Sequence, residues 1–166
     1  MIKIRKATCE DADKIAYINV TTWKDCYKGL ICDALLSKRI VSNERVLGIQ
    51  NSINAKDTIY WVAELNNEIV GFCCAGQARD ENYPFKYEVR SIYVLSSAQN
   101  KGIGTTLLNE FRKEINNEPF YLYALKQNVK AHVFYEKNGG KMLPEYEKKV
   151  VTKDGFELEE VLFAFN

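Results

Sequence analysis

The chain has 166 residues, with 23 Lys plus Arg against 22 Asp plus Glu and a single His, for a formal net charge of +1. That balance excludes the basic excess of a bulk nucleic-acid binder and the acidic excess of a disordered tail. At 46% hydrophobic and 12% aromatic residues the composition is that of a folded globular protein, and the length predicts one domain over residues 1–166. Cys9, Cys26, Cys32, Cys73 and Cys74 are odd in number, include an adjacent pair and show no C-x-x-C spacing. Free thiols in a reducing cytoplasm, with no metal site, are therefore expected. The N-terminus has no apolar h-region, and the apolar runs fall far short of the roughly 20 residues of a membrane span, so no signal peptide and no membrane partner are expected.

Ile2 and Ile4 alternate with Lys3 and Arg5, which predicts a first strand. Thr8, with Glu10 and Asp11 behind it, opens a helix whose apolar face carries Ala12, Ile15, Ala16, Trp23 and Cys26 and which stops near Gly29. A second helix is expected from about Asp33 to Ile49. The period then changes: Thr58 to Glu64 and Ile69 to Ala78 read as a hairpin about Asn66-Asn67, and Tyr87 to Leu95 as the next strand. Gly102 and Gly104 lead into a helix with Leu107, Leu108, Phe111 and Ile115 on its apolar side. A strand at Phe120 to Leu125, a helix at Asn128 to Asn138, and strands near Lys141 to Val151 and Phe156 to Phe165 about an Asp154-Gly155 turn complete the chain. The order predicts an α/β domain on a mixed sheet.

The stretch Val89 to Phe111 carries the most chemistry. A β-rich run ends in a glycine-bearing loop that feeds an amphipathic helix, so backbone amides and the helix N-terminus together make an anion site. A tight strand-to-helix turn without a ligand is the other reading of the same residues. Thr105 after Gly104 breaks the P-loop pattern, and Leu107 stands where a dinucleotide fingerprint has its third glycine. Neither an NTPase nor a dinucleotide loop is indicated.

Gln99-Asn100-Lys101-Gly102-Ile103-Gly104 matches [QR]-x-x-G-x-[GA], follows the strand ending Ile92-Tyr93-Val94, and is succeeded by Asn128-x-x-Ala131-x-x-Phe134-Tyr135-Glu136-Lys137-Asn138-Gly139. In these motifs and in element order the chain resembles the GNAT superfamily of acyl-CoA-dependent N-acyltransferases. The resemblance implies a mostly antiparallel sheet of six to seven strands, splayed between the fourth and fifth and flanked by about four helices. It implies acetyl-CoA as cosubstrate and direct attack by a primary amine of a small molecule or peptide in a ternary complex. A catalytically weak acyl-CoA-binding sensor is the alternative, a thiol acyltransferase on Cys73 or Cys74 lacks a paired His, and a homodimer is left open.

The resemblance also implies roles. Backbone near Ile92, Tyr93 and Val94 would hold the pantetheine arm, and the Val94 amide would stabilise the oxyanion. The amides from Gln99 through Asn100, Lys101, Gly102, Ile103 and Gly104 to Thr105 would wrap the pyrophosphate, with Lys101 adding local charge. Asn128 would bond the pantetheine, small Ala131 would allow close approach, and Lys137 would reach a phosphate. Tyr135 is the expected general acid, against a packing role beside Phe134. Glu88 is the expected base, placed by period-2 alternation on one face with Arg90, Ile92 and Val94; a water chain, or a Glu88–Arg90 ion pair, is the competing reading. His132 is read as a surface or packing residue. Trp23 and Tyr27 suit an aromatic wall for the acceptor or an anchor for the helix end, and Asp80, Glu81, Glu157, Glu159 and Glu160 are read as solvated surface. Two departures stand out: Asn100 replaces a glycine common in the family, and Gly140 replaces an aromatic, which leaves the start of the sixth strand open.

Overall fold

The computed structural model describes residues 1–153 and 155–166. Strand β1 (Ile2–Lys6) passes through a 3-10 turn at Cys9–Asp11 into helix α1 (Ala12–Tyr27). Asp11 fastens this entry: its carboxylate accepts the Thr8 amide at 2.8 Å and two bonds from Arg5 at 2.7 and 2.9 Å. The single helix expected from Asp33 to Ile49 is instead two, α2 (Asp33–Lys38) and α3 (Asn43–Asn54). Arg39 and Ser42 are extended, and the Ser42 hydroxyl accepts the Arg45 amide at 3.2 Å as an N-cap, with Glu44 in the first turn behind it. Apolar residues continue across the break, so periodicity alone hides it.

Then follow β2 (Thr58–Leu65), β3 (Glu68–Gln77), β4 (Tyr87–Val94), α4 (Ile103–Glu114), β5 (Phe120–Leu125), α5 (Val129–Lys137), β6 (Lys141–Val151) and β7 (Glu157–Phe165). Asp154 of the expected turn before β7 lies outside the described residues. One sheet has the order β1-β2-β3-β4-β5-β7-β6, and among the described residues every pairing is antiparallel except β4 with β5. Leu107, Leu108 and Phe111 of α4, with Ile115 at its C-cap, pack on Trp61, Cys73, Val89, Leu122 and Phe163 on one face. Ile15 and Ile18 of α1, with Ile49 and Ile53 of α3, pack on Val62, Phe72 and Cys74 on the other. The fold is thus the expected mixed, mostly antiparallel sheet parted between β4 and β5, with helices on both faces and five α-helices among the described residues. None of the helices, among the described residues, is long and apolar enough to cross a bilayer.

Two irregularities position the site. β4 pairs with β5 only through Tyr87–Val89 against Phe120–Leu122, after which the strands part. Within β4, Ser91 pairs with Cys74 while Val89 pairs with Ala75, so Arg90 is an extra residue, a β-bulge. The bulge shifts the pleat by one. Val89 joins Ile92 and Val94 on the α4 face, whereas Tyr93 packs on the α1 side.

The missing aromatic at position 140 is replaced from elsewhere. A Cβ on Gly140 would sit 2.7 Å from Phe165 Cζ and 2.9 Å from the Tyr135 carbonyl, so the Phe165 ring occupies that space and β6 still begins at Lys141. Restoring the aromatic therefore overpacks the site. Gly140→Phe is expected to lower stability by about 1–3 kcal/mol or more, read as a drop in the urea midpoint, and Phe165→Ala in the same chain should lessen that drop. An unchanged midpoint would contradict the packing described.

Candidate active site

Where β4 and β5 part, a cavity of about 520 Å³ opens. Its walls explain why it needs a guest. Leu95 donates to the Val70 carbonyl at 2.9 Å, and Val94 pairs with Gly71, so the alternation of an antiparallel ladder turns the N–H and C=O of Ile92 and Val94 away from β3 and toward the gap. With β5 gone from their side, these groups lack a strand partner. Gln99 satisfies one of them, its Nε2 donating to the Val94 carbonyl at 2.9 Å, while its Oε1 accepts from Lys130 at 2.8 Å. Gln99 thus ties the glycine loop to the strand end through its side chain.

The loop itself is shaped for backbone exposure. Asn100 and Gly102 have φ of +61° and +78°, and Gly102 is the N-cap of α4. None of the described side chains caps that helix, so the first-turn amides of Ile103, Gly104 and Thr105 keep their orphan donors beside the cavity they line. The Thr106 hydroxyl is turned back to the Gly102 carbonyl at 3.0 Å. Gly104 has another reason to be glycine: a Cβ there would lie 2.9 Å from the Phe134 ring, so it lets α5 close on α4. Lys101 does not line the cavity; its Nζ donates to the Ser97 carbonyl at 3.3 Å, and Lys130 and Lys137 are the lysines in the wall.

On α5, Asn128 caps the helix, its Oδ1 accepting the Ala131 amide at 3.2 Å. Asn128, Ala131, Tyr135 and Lys137 all line the gap. Tyr135 is half-buried against Phe163 and Phe165, and its burial, with Tyr93 and Cys73 nearby, pushes the hydroxyl above the ordinary tyrosine value. That keeps it in the protonated, donor form at neutral pH. His132 is a packing residue: buried, tilted against Phe163 with ring centroids 5.2 Å apart, and hydrogen-bonded through Nε2 to the Leu125 carbonyl at 3.0 Å.

A second cavity, of about 500 Å³, lies against the first and shares Tyr27, Val89, Arg90, Tyr93 and Tyr123 with it. Trp23 and Glu88 line only this one. Trp23 and Tyr27 meet edge to face at 5.0 Å in a buried cluster with Leu35 and Leu125, so they both anchor the helix end and wall the cavity. The Tyr93 side chain also belongs to this side, packed with Trp23 and Tyr27.

The alternation expected for Glu88 is corrected by the bulge. Glu88 does not share the face of Ile92 and Val94, nor does Arg90 pair with it. Arg90 instead clamps the bulge, donating to the Thr58 hydroxyl, to Asp57 at 3.3 Å and to the Gln77 carbonyl at 3.0 Å. Glu88 is buried and takes Arg79 through the guanidinium Nε at 3.0 Å, the Nη2 and the backbone amide at 3.2 Å. Burial works to raise its pKa, but the Arg79 bonds and charge outweigh it and hold the carboxyl below the usual glutamate range. Glu160, read from the sequence as solvated, is half-buried in this cavity, opposite Leu125 where β5 has left β4. Its neighbour Lys148 is 3.8 Å away, and burial pushes its carboxyl up. No spacing in the sequence marks it, because only the pairing of β7 with β5 brings it here.

Two cavities meeting at a splayed, bulged strand, one walled by orphan amides and the other by aromatics and carboxylates, are the arrangement of an acyl-CoA-dependent acetyltransferase. The chain matches the acetyltransferase (GNAT) domain over residues 56–139, half of its length, and belongs to the GNAT family. A probable N-acetyltransferase of Mycobacterium tuberculosis is 27% identical over 140 residues, covering 82% of this chain and 78% of that protein. The PaiA N-acetyltransferase of Thermoplasma acidophilum, solved in complex with coenzyme A, superposes with a TM-score of 0.76 at 21% identity over 100% of this chain and 99% of that one. A ribosomal-protein-alanine N-acetyltransferase of Brucella melitensis does so with a TM-score of 0.72 at 23% identity over 98% of each chain.

The loop geometry makes a prediction. Gly102 meets nothing within 4 Å of a built Cβ, so its requirement is conformational alone. Gly102→Val forces a β-branched residue toward positive φ, a strain of about 1–3 kcal/mol, and should weaken acetyl-CoA binding on the order of tenfold in calorimetric titration. Retained affinity would remove the loop from the phosphate-holding role.

Proposed function

We propose that this enzyme transfers an acetyl group from acetyl-CoA to a primary amine of a small molecule or peptide, within a ternary complex formed across the two cavities. The observation that carries the reading is the unpaired edge of β4 running into the uncapped amides of α4. A thioester on a long polar arm with a pyrophosphate fits both parts: the arm as a partner for Ile92 and Val94, the pyrophosphate for the amides of Gly102 to Thr105. Asn100, Ala131 and Lys137 border the same path. When bound, acetyl-CoA supplies the activated acyl group and a thiol leaving group.

The protein's part is orientation and proton handling. The Val94 amide is the donor for charge developing on the acyl oxygen. Tyr135 Oη is the donor for the leaving sulfur. Trp23 and Tyr27 bound the acceptor, with Tyr93 between the cavities. Of the three carboxylates lining the second cavity, Asp80 accepts two bonds from Asn82 and Glu88 is saturated by Arg79 with little affinity for a proton, so Glu88 acts as fixed negative charge. Proton removal is assigned to Glu160, whose desolvated carboxylate binds a proton more readily. Cys73 is fully buried, with its thiol pushed well above the usual value, and lacks the character of a nucleophile. Five unpaired cysteines suit a reducing cytoplasm.

Thiol release from acetyl-CoA across polyamines, amino acids, aminoglycosides and peptides tests the reading; cofactor binding with no acceptor-dependent release would favour a sensor. Tyr135→Phe is expected to lower kcat by about 10²-fold while leaving acetyl-CoA affinity nearly unchanged, and full turnover would exclude it as the acid. Because Glu160 must be deprotonated to act and its pKa is raised, kcat/KM should fall as pH drops through that raised value. Glu160→Gln should abolish this acidic limb and Glu88→Gln should retain it. The opposite pattern would return the base to Glu88.

A further inference from the structure

A third cavity, of about 490 Å³, lies between α1, α3 and the sheet, and the reaction assigned above does not use it. Its wall holds two guanidiniums, Arg39 from the segment between α2 and α3 and Arg45 from the first turn of α3. Both lean on one neutral acceptor: Asn19 Oδ1 takes Arg39 Nη2 at 2.8 Å and Arg45 Nη1 at 3.5 Å. Arg45 Nε donates to the Ile40 carbonyl at 3.0 Å. Glu44 stands in the lining, yet among the described residues no carboxylate is in ion-pair contact with either arginine. Arg39 Nε is buried with no acceptor among the described residues. Burial and then the Arg45 charge both disfavour the Arg39 cation. Two like charges drawn together, half-buried and short of acceptors, are a local instability that an anion would relieve.

The second observation is a glycine. Gly48 lines this cavity in the interior of α3, where glycine is disfavoured relative to alanine, and a Cβ built on it meets nothing within 4 Å. Packing does not require it. What the missing side chain provides is room beside the guanidiniums. Arg39 also stacks over Trp23 at 4.6 Å, and Trp23 lines the acceptor cavity, which puts this guanidinium behind that wall.

We propose that Arg39 and Arg45 form a binding site for an anionic oxygen group, a carboxylate or a phosphate, which is either part of the acceptor or a free anion bound beside it. Planar guanidiniums with free donors suit such groups by paired hydrogen bonds. The acceptor form of the inference rests on the acetyltransferase reading; the binding site itself does not.

The test uses the full chain saturated with coenzyme A, so that the α4 amides are filled, titrated with inorganic phosphate and followed by calorimetry. Saturable binding is expected, weakened at least tenfold by Arg45→Gln and by Gly48→Phe, while both variants keep their acetyl-CoA affinity and Gly48→Phe melts no lower than the parent. A kinetic arm compares amine acceptors of matched size with and without a carboxylate. If the acceptor supplies the anion, Arg45→Gln raises KM about tenfold for the carboxylate-bearing amine alone; if the anion is free, phosphate binding is lost and both KM values stand. Absence of saturable phosphate binding together with equal KM effects on the two acceptors overturns the proposal, as does binding that survives both substitutions. Phosphate binding in a protein that releases no thiol with any amine would sink the acetyltransferase reading and leave this site intact.

Discussion

A buried backbone group must find a partner, and in this protein β4 is denied one. Parallel pairing with β5 stops after three residues, yet Ile92 and Val94 lie beyond that point with their amides turned to the gap. A sheet can leave such groups unpaired only at an edge, beside water, or beside a ligand that takes the strand's place. The cavity there is walled by β4, β5, α4 and α5, which suits the third solution, the one proposed above. Gln99 shows how tightly the accounting is kept: its amide meets the Val94 carbonyl, which lies furthest along the parted strand, and leaves the earlier groups for the guest.

The bulge at Arg90 is the complement of that gap. Without the extra residue, Glu88 would lie on the α4 side with Ile92 and Val94, and the cavities would lack their division of labour. With it, one strand presents apolar side chains and free amides to one cavity, and a carboxylate and Tyr93 to the other. Arg90 reaches across to Asp57, Thr58 and Gln77 to hold the bulge in place, which makes it a structural cation rather than a ligand for Glu88. Arg79 fills that second role from the loop beyond β3. The two arginines thus keep their separate carboxylates, and the proton affinity of Glu88 is set by a loop residue that no alternation rule connects to it.

Much of the fold was legible because strands and helices here obey simple periods. The strand from Phe120 to Leu125 and the helix from Gly102 onward follow from an aromatic-rich run and from Leu107, Leu108 and Phe111 at helical spacing. The residues brought together around the first cavity were legible too, apart from Lys101, since such loops need glycine and a cap residue at fixed places. The acceptor side was not. A bulge adds a residue without a composition signature, so Glu88 and Arg90 were assigned by a pleat that the strand breaks. Glu160 enters through the register of β7 on β5, a pairing set far along the chain. The division of α2 from α3 did leave a trace, since Ser42 followed by Asn43-Glu44 is a helix start, but the apolar period running through it outweighed that signal.

The glycines separate these two kinds of information. Gly102 is needed for its own backbone, with φ of +78° and empty space about it, and a motif records that need directly. Gly104 and Gly140 are needed by someone else: Phe134 in one case, Phe165 in the other. Phe165 in turn stacks on Phe120 at 4.6 Å and meets Tyr135 edge to face, so the last strand, the parted strand β5 and the proposed acid are packed through one ring. The Phe165 ring therefore fills the space left at position 140, against Tyr135. Tyr135 is held by the C-terminal strand, and the position of its hydroxyl depends on β7 closing the sheet. The same strand carries Glu160 into the second cavity. One strand thereby packs against Tyr135 at the first cavity and carries Glu160 into the second, so the register of β7 on β5 bears on both of the groups proposed to move protons.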